Sequence, residues 1–312
     1  MKTSFAQRLK QEIDNKRNPS LLGLDPHMAQ LPPSLIAKAA KQSDNQMEVV
    51  ALAIAEFNRS LIEALSDIIP AVKFQSAYYE QLGEYGIRCL RQSIQYAKSY
   101  GLLTVLDAKR NDIGSTARAY ANASLGKVAL PNGEEVVFDA DSVTVNAYLG
   151  IDGIEPFIKE CAEAGKGCFI LVRTSNPSAG DFQDLELADG RKIYEAMAEL
   201  VSKWGDSCVD GEFSSVGAVV GATWPEQAKE LRKIMPKQYF LIPGYGAQGG
   251  KADGAVAGFN ENGEGGIVNA SRSLMLAWQK SNLGEEKFAE ASRQEAIRMR
   301  EDLMEAIERA KN

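Results

Sequence analysis

The sequence predicts an α/β fold, a single-domain (β/α)8 barrel over residues 1–312 with an extra C-terminal helix. Three observations predict it. Eight short runs rich in Val, Ile and Leu recur along the chain, amphipathic stretches separate them, and polar or charged residues end most of them.

The runs are SLLGLD (20–25), AVKFQ (71–75), LLTVLDAK (102–109), SVTVNA (142–147), GCFILVRTS (167–175), SVGAVVGA (215–222), YFLIPGY (239–245) and GGIVNASR (265–272). Each is nearly continuously apolar, as a parallel strand covered on both faces must be. Between the first two, residues 44–68 repeat apolar side chains at three- and four-residue steps, with Asp44 as the expected N-cap. Residues 126–139 carry Pro-Asn-Gly and predict a small hairpin excursion before the fourth strand. The last stretch, 285–310, sets Phe288, Ala296, Met299, Leu303 and Ile307 on one side, so it packs across the barrel instead of founding a second domain. A doubly wound sheet would want GxGxxG after its first strand, but after SLLGLD the chain reads PHMAQLPP. Alternating units of this kind describe a TIM barrel.

Composition excludes several classes of function. The chain carries 35 basic and 42 acidic side chains, a net charge of −7, and no dense Lys/Arg run, which argues against nucleic acid. The N-terminus alternates apolar and charged residues, and no uncharged run is long enough to span a bilayer, so a cytoplasmic location is expected with no membrane contact. Cys89, Cys161, Cys168 and Cys208 lack metal-ligand spacing and read as small buried hydrophobes in a reducing compartment. The only histidine, His27, sits in LDPH at a strand-to-loop junction, and no second motif supports it as a catalytic base.

In such a barrel the chemistry lies at the C-terminal strand ends. Here Asp25 ends the first strand, Lys73 lies in the second, Asp107 and Lys109 end the third with Asp112 just beyond, and Ser271-Arg272 end the eighth. Strand alternation sets Asp107 and Lys109 on one face above Val105 and turns Arg110 away. An ion-pair cap on the barrel is one reading of these charges. Three carboxylates and two ammoniums at adjacent strand ends are costly to assemble for stability alone, which favours a catalytic array. Neighbouring carboxylates favour a protonated lysine, making Lys109 a candidate general acid.

A second cluster, IPGYGAQGG (242–250) with the following VNASRS, occupies the usual phosphate position after strands seven and eight. Its glycines allow close backbone approach, Gln248 offers an amide, and Arg272 offers a cationic fork. A glycine-rich loop alone reads equally as an ordinary turn; Arg272 at the next strand end is what favours phosphate. Ser175 in LVRTSNPS can reach over the barrel mouth, although a plain turn explains that segment as well.

LLGLDP, AVKFQSAYYE, LDAKRNDIGSTARAYA, TVNAYLG, GKGCFILVRTSNPS, VGAVVGAT, IPGYGAQGG and VNASRS, in that order along nearly the whole chain, resemble orotidine 5′-phosphate decarboxylases of the longer bacterial type, with its DAKR-x-DIGSTA signature. The resemblance implies decarboxylation of orotidine 5′-phosphate to uridine 5′-phosphate with no metal or organic cofactor. It implies Lys109 as proton donor to C6, Asp107 near the departing carboxylate, and Lys73 and Asp112 completing the charge array. Asp25 and Lys73 would contact ribose hydroxyls, Ser175 the pyrimidine, and Gln248 and Arg272 the phosphate. Asp112 and Thr116 would reach into the neighbouring subunit's site, making a homodimer with composite sites. Two departures stand out, Asn111 where the family favours glycine and Ala147 where it favours proline; Asn111 is expected to tolerate a left-handed turn. A magnesium-dependent sugar-phosphate decarboxylase or aldolase of the same superfamily is one alternative, disfavoured because Lys73 stands on the strand where those enzymes carry a metal-binding glutamate. A non-catalytic phosphate-ligand sensor is the other, disfavoured by the complete charged array.

Overall fold

A computed structural model describes residues 3–246 and 251–311. Eight parallel strands close on one another: β1 (Ser20–Leu24), β2 (Ala71–Gln75), β3 (Leu103–Arg110), β4 (Ser142–Val145), β5 (Gly167–Arg173), β6 (Phe213–Val220), β7 (Gln238–Ile242) and β8 (Gly266–Ala270). Each pairs with its sequence neighbour, and β8 returns to β1 with Val268 opposite Ser20, so closure removes the free edges. All eight expected runs are strands. The expected excursion is an antiparallel hairpin, Val128–Leu130 against Gly133–Glu135.

The outer ring comprises α2 (Gln46–Leu65), α3 (Gly83–Ser99), α4 (Gly114–Ser124), α5 (Glu155–Ala164), α6 (Ile193–Gly205), α7 (Pro225–Ile234) and α8 (Ala252–Val256), each following its strand. The cap of α2 differs from expectation. Asn45, not Asp44, accepts from the backbone N–H groups of Met47 and Glu48, at 3.0 and 3.2 Å, because the helix starts one residue later. The last helix, α9 (Phe288–Lys311), buries the expected stripe, and it lies against α2 and α8 on the flank, not across a barrel mouth. Phe288 stacks on Phe57 with ring centroids 5.1 Å apart, and Arg293 forks onto Asp67 at 2.6 and 2.7 Å.

Strand alternation divides the apolar side chains into two cores. Leu22, Leu24, Val72, Phe74, Leu106, Val143 and Ile170 face the helices. Leu21, Ala71, Leu103, Val105, Phe169, Val219, Tyr239, Leu241 and Ile267 face the barrel axis. The floor of that inner column is α1 (Phe5–Lys16), which contributes Phe5, Ala6 and Leu9. Phe5 meets Phe169 edge to face at 5.9 Å and lies so close over Gly167 that a Cβ there would fall 2.2 Å from its ring. Arg8 bonds Asp141 at 2.6 Å, and Asp141 in turn accepts from the Thr104 N–H and hydroxyl, each at 3.0 Å. In the sequence, residues 5–16 read only as alternating apolar and charged, so neither this helix nor its seat was anticipated.

This plug keeps the lower barrel dry, so Phe5→Ala opens a cavity in a packed column. We expect it to lower the unfolding free energy by about 3–5 kcal/mol, read from urea denaturation; a loss under about 1 kcal/mol would show that α1 is not part of the core.

Candidate active site

Above the dry inner column, the next axis-facing positions are polar, as strand alternation places Lys73 and Gln75 above Ala71, and Asp107 above Val105. They form the floor of a cavity of about 760 Å³ at the C-terminal ends of the strands.

Asp107 is buried, and its carboxylate accepts from four donors. Oδ1 takes Lys109 Nζ at 2.6 Å and the Thr144 hydroxyl at 2.8 Å. Oδ2 takes Lys73 Nζ at 3.0 Å and Gln75 Nε2 at 3.1 Å. Lys73, also buried, donates onward to Asp25 Oδ1 at 3.1 Å. The result is a continuous chain of alternating charge, Asp25–Lys73–Asp107–Lys109.

Burial alone would push the Asp107 carboxyl up, yet the Lys73 and Lys109 ammoniums outweigh it and hold the group well below the usual carboxylate range. Burial would likewise lower Lys73, but Asp107 and Asp25 outweigh it and hold the ammonium above the ordinary lysine range. Both stay charged near neutrality. Lys109, with 43% of its side chain exposed, is the most exposed of the four.

Simple alternation does not by itself deliver Lys109. Its backbone is left-handed, φ 48°, and the β3–β4 register shifts between Leu106 and Arg110. The Thr144 hydroxyl accepts from the Lys109 N–H at 3.0 Å while donating to Asp107, so one side chain fixes both the bend and the carboxylate. A non-glycine residue in this region costs on the order of 1 kcal/mol, and the surrounding network holds it there. The tolerance expected of Asn111 for a left-handed turn is not called on, since its φ is not positive; the left-handed step falls at Lys109. Arg110 points away as expected, pairing with Glu80 and lying over Tyr120.

Asp25, Lys73, Asp107, Lys109, Ser175 and Arg272 all line the cavity. Asp112 and Thr116 do not: Asp112 accepts from the Ile113 N–H at 2.8 Å, and Thr116 is exposed on the first turn of α4. Gln248 lies outside the described residues. The approach to it is glycine-shaped, with Gly244 at φ 104° and Gly246 at φ 72°. Between them Tyr245 donates its hydroxyl to Asp302 of α9 at 2.6 Å. At Gly23 a Cβ would fall 2.0 Å from the Ser271 hydroxyl and 2.6 Å from the Asn269 amide oxygen, so the glycine lets both side chains sit close to β1.

Sequence reasoning missed Gln75, Thr144, Gln183 and Asn269, which also line the cavity. Gln75 was accessible, two residues beyond Lys73 on the same face. Gln183 had no such signal, being brought in by a short helix, Gly180–Gln183, that follows β5. His27 lines the rim, its ring 5.8 Å from that of Tyr78. All four cysteines are free and buried, as expected. Among the described residues, no group of three or more His, Cys, Asp or Glu converges as metal ligands, and no helix is long and apolar enough to cross a membrane.

An ammonium held by a buried carboxylate at a cavity floor can stabilise a carbanion and then protonate it. Similarity to known proteins agrees with that chemistry. Residues 22–285 match the model of the orotidine 5′-phosphate decarboxylase / HUMPS family. The chain is 42% identical to the orotidine 5′-phosphate decarboxylase of Rhodopirellula baltica, over 96% of this chain and 99% of that one. It is 43% identical to the Clostridium tetani enzyme of the same name, over 81% and 85%. Among solved structures, Leishmania donovani OMP decarboxylase superposes with a TM-score of 0.69 at 28% identity, covering 96% of this chain and 99% of that one. The chain belongs to the orotidine 5′-phosphate decarboxylase / HUMPS family.

Proposed function

We propose that this chain decarboxylates orotidine 5′-phosphate to uridine 5′-phosphate, the last step of de novo pyrimidine synthesis, as an enzyme of the longer bacterial type that needs no cofactor. The observation that carries the reading is the Asp25–Lys73–Asp107–Lys109 chain on the cavity floor, with Ser175 and Arg272 lining the same cavity. A reading as one domain over residues 1–312 fits the packing of both α1 and α9 onto the barrel. A cytoplasmic location fits four free, buried thiols.

In this reaction the bond between C6 and the carboxylate breaks, CO₂ leaves, and the electron pair stays on C6. That pair lies in the ring plane and cannot spread into the π-system, so a positive charge fixed beforehand must stabilise it. Lys109 Nζ supplies the charge and then its proton to C6. Asp107 holds Lys109 in place and faces the departing carboxylate, and Lys73 keeps Asp107 ionised. Asp25 and Lys73 take the ribose hydroxyls, Ser175 the pyrimidine, and Arg272 with Gln248 the phosphate. Gripping the remote phosphate turns binding energy into orientation at the reacting carbon.

A homodimer with composite sites completes the reading. Asp112 and Thr116 serve the neighbouring subunit's site, outside their own cavity. The surface beside them supports this, because Ile113, Tyr148, Leu149, Ile151 and Phe182 are all exposed. Tyr148 and Phe182 are 6.0 Å apart between centroids, and Gly153 packs directly on Asn111 and Asp112, so these loops form one apolar face.

Lys109→Ala removes both the fixed charge and the proton donor. Turnover followed by ultraviolet absorbance should fall by about 10⁴-fold or more, with folding retained and with the wild-type rate unchanged in excess chelator. Near-wild-type turnover in the variant would overturn the proton-donor role, and chelator-sensitive activity would favour a metal-dependent relative. For Arg272→Ala the Michaelis constant should rise by about 10- to 100-fold, the worth of a charge-assisted contact; an unchanged constant would refute the phosphate role. Tyr148→Glu should convert dimer to monomer by light scattering and lower activity, whereas an active wild-type monomer would sink the composite-site reading.

A further inference from the structure

Arg173, the last residue of β5, is fully buried, and no step of the reaction touches it. Its Nη1 donates to Gln183 Oε1 at 3.3 Å and its Nη2 to Asp184 Oδ2 at 3.1 Å. Trp224 lies 4.2 Å from the guanidinium carbon. For stability alone this is a poor arrangement. Arg173 Nε and Asp184 Oδ1 are both buried without a partner, and the ion pair joins a fully buried guanidinium to a half-buried carboxylate, so the desolvation cost of Arg173 is only partly offset.

What the arrangement does is fix Thr174. Gln183 Oε1 accepts from the Thr174 N–H at 3.0 Å, and Gln183 Nε2 donates to the Thr174 hydroxyl at 2.7 Å. Trp224 Nε1 donates to the Thr174 carbonyl at 2.9 Å. Every polar group of Thr174 is thus held by a side chain that Arg173 touches. The next residue, Ser175, has no room to retreat, because a Cβ on Gly221 would fall 2.8 Å from the Ser175 Cβ, and the Gly221 N–H is bonded to the Arg173 carbonyl at 2.8 Å.

We propose that Arg173 is a positioning residue for base recognition: through Gln183 and Trp224 it sets where the Ser175 hydroxyl meets the pyrimidine. This rests on the functional reading above, in which Ser175 contacts the base. A lysine cannot replace the arginine, since a point ammonium has neither the planar face for Trp224 nor the fork that spans Gln183 and Asp184.

The test compares two competitive inhibitors of the full-length enzyme, uridine 5′-phosphate, which carries a base, and ribose 5-phosphate, which does not. In Arg173→Lys the inhibition constant for uridine 5′-phosphate should rise about tenfold, and in Trp224→Phe, which keeps an aromatic face but replaces the indole and deletes its N–H, about threefold. The constant for ribose 5-phosphate should stay within about twofold in both, since no base contact is lost. Equal weakening of both inhibitors would mark a general loosening and overturn the proposal, as would no weakening of either. Trp224→Phe decides the question if Arg173→Lys does not fold. A wild-type enzyme without decarboxylase activity would sink the functional reading and this one with it; normal wild-type turnover with base-independent losses would sink only the positioning role.

Discussion

Asp107 accepts from two ammoniums, one amide and one hydroxyl, and the upper half of the barrel is organised around those four bonds. A buried carboxylate with one partner removed would leave a desolvated charge costing several kcal/mol. The donors come from β2, β3 and β4, so three adjacent strands must keep register for the carboxylate to be satisfied. Thr144, one of those donors, also accepts from the Lys109 N–H at the left-handed step of β3, and the bond from Lys109 holds an ammonium at the cavity floor. Structural satisfaction and chemical readiness are here the same set of contacts.

That arrangement needs a dry foundation. Below the charges, most axis-facing side chains are apolar and buried, and α1 closes that end of the column. Electrostatic interactions strengthen as water is excluded. Polar above and apolar below, on the same faces of the same strands, is how one barrel keeps a packed core and a reactive mouth a few residues apart.

Much of this was legible in the sequence. The strands announced themselves because parallel barrel strands are apolar on both faces, and the charged residues stood out because each interrupts such a run at its end. Gln75 followed from the same parity as Lys73, though it was passed over. Other features were not legible, for physical reasons. Thr144 matters through a bond to a backbone N–H that exists only because β3 bends. Arg173 ends an apolar run like the other strand-end charges, but its partners lie at the end of the short helix Gly180–Gln183 and on the turn after the next strand. The α2 cap was off by one residue because Asp44 and Asn45 are equally able acceptors, and only the helix start chooses between them. The left-handed step at Lys109 was not legible either, because lysine as a residue type carries no preference for that conformation.

The seat of α1 has a consequence for how the chain reaches its fold. The Ala6 N–H bonds the Ser215 hydroxyl at 3.2 Å, and Phe5 rests on Phe169, partners more than half the chain away. During synthesis the segment bearing Phe5 and Leu9 leaves the ribosome long before β5 and β6 exist to cover it. It must wait with its apolar face uncovered, a state that invites chaperone capture or aggregation, and it docks only when the barrel is nearly complete. The stretch that emerges early is among the last to find its place, and its docking reports that the sheet has closed.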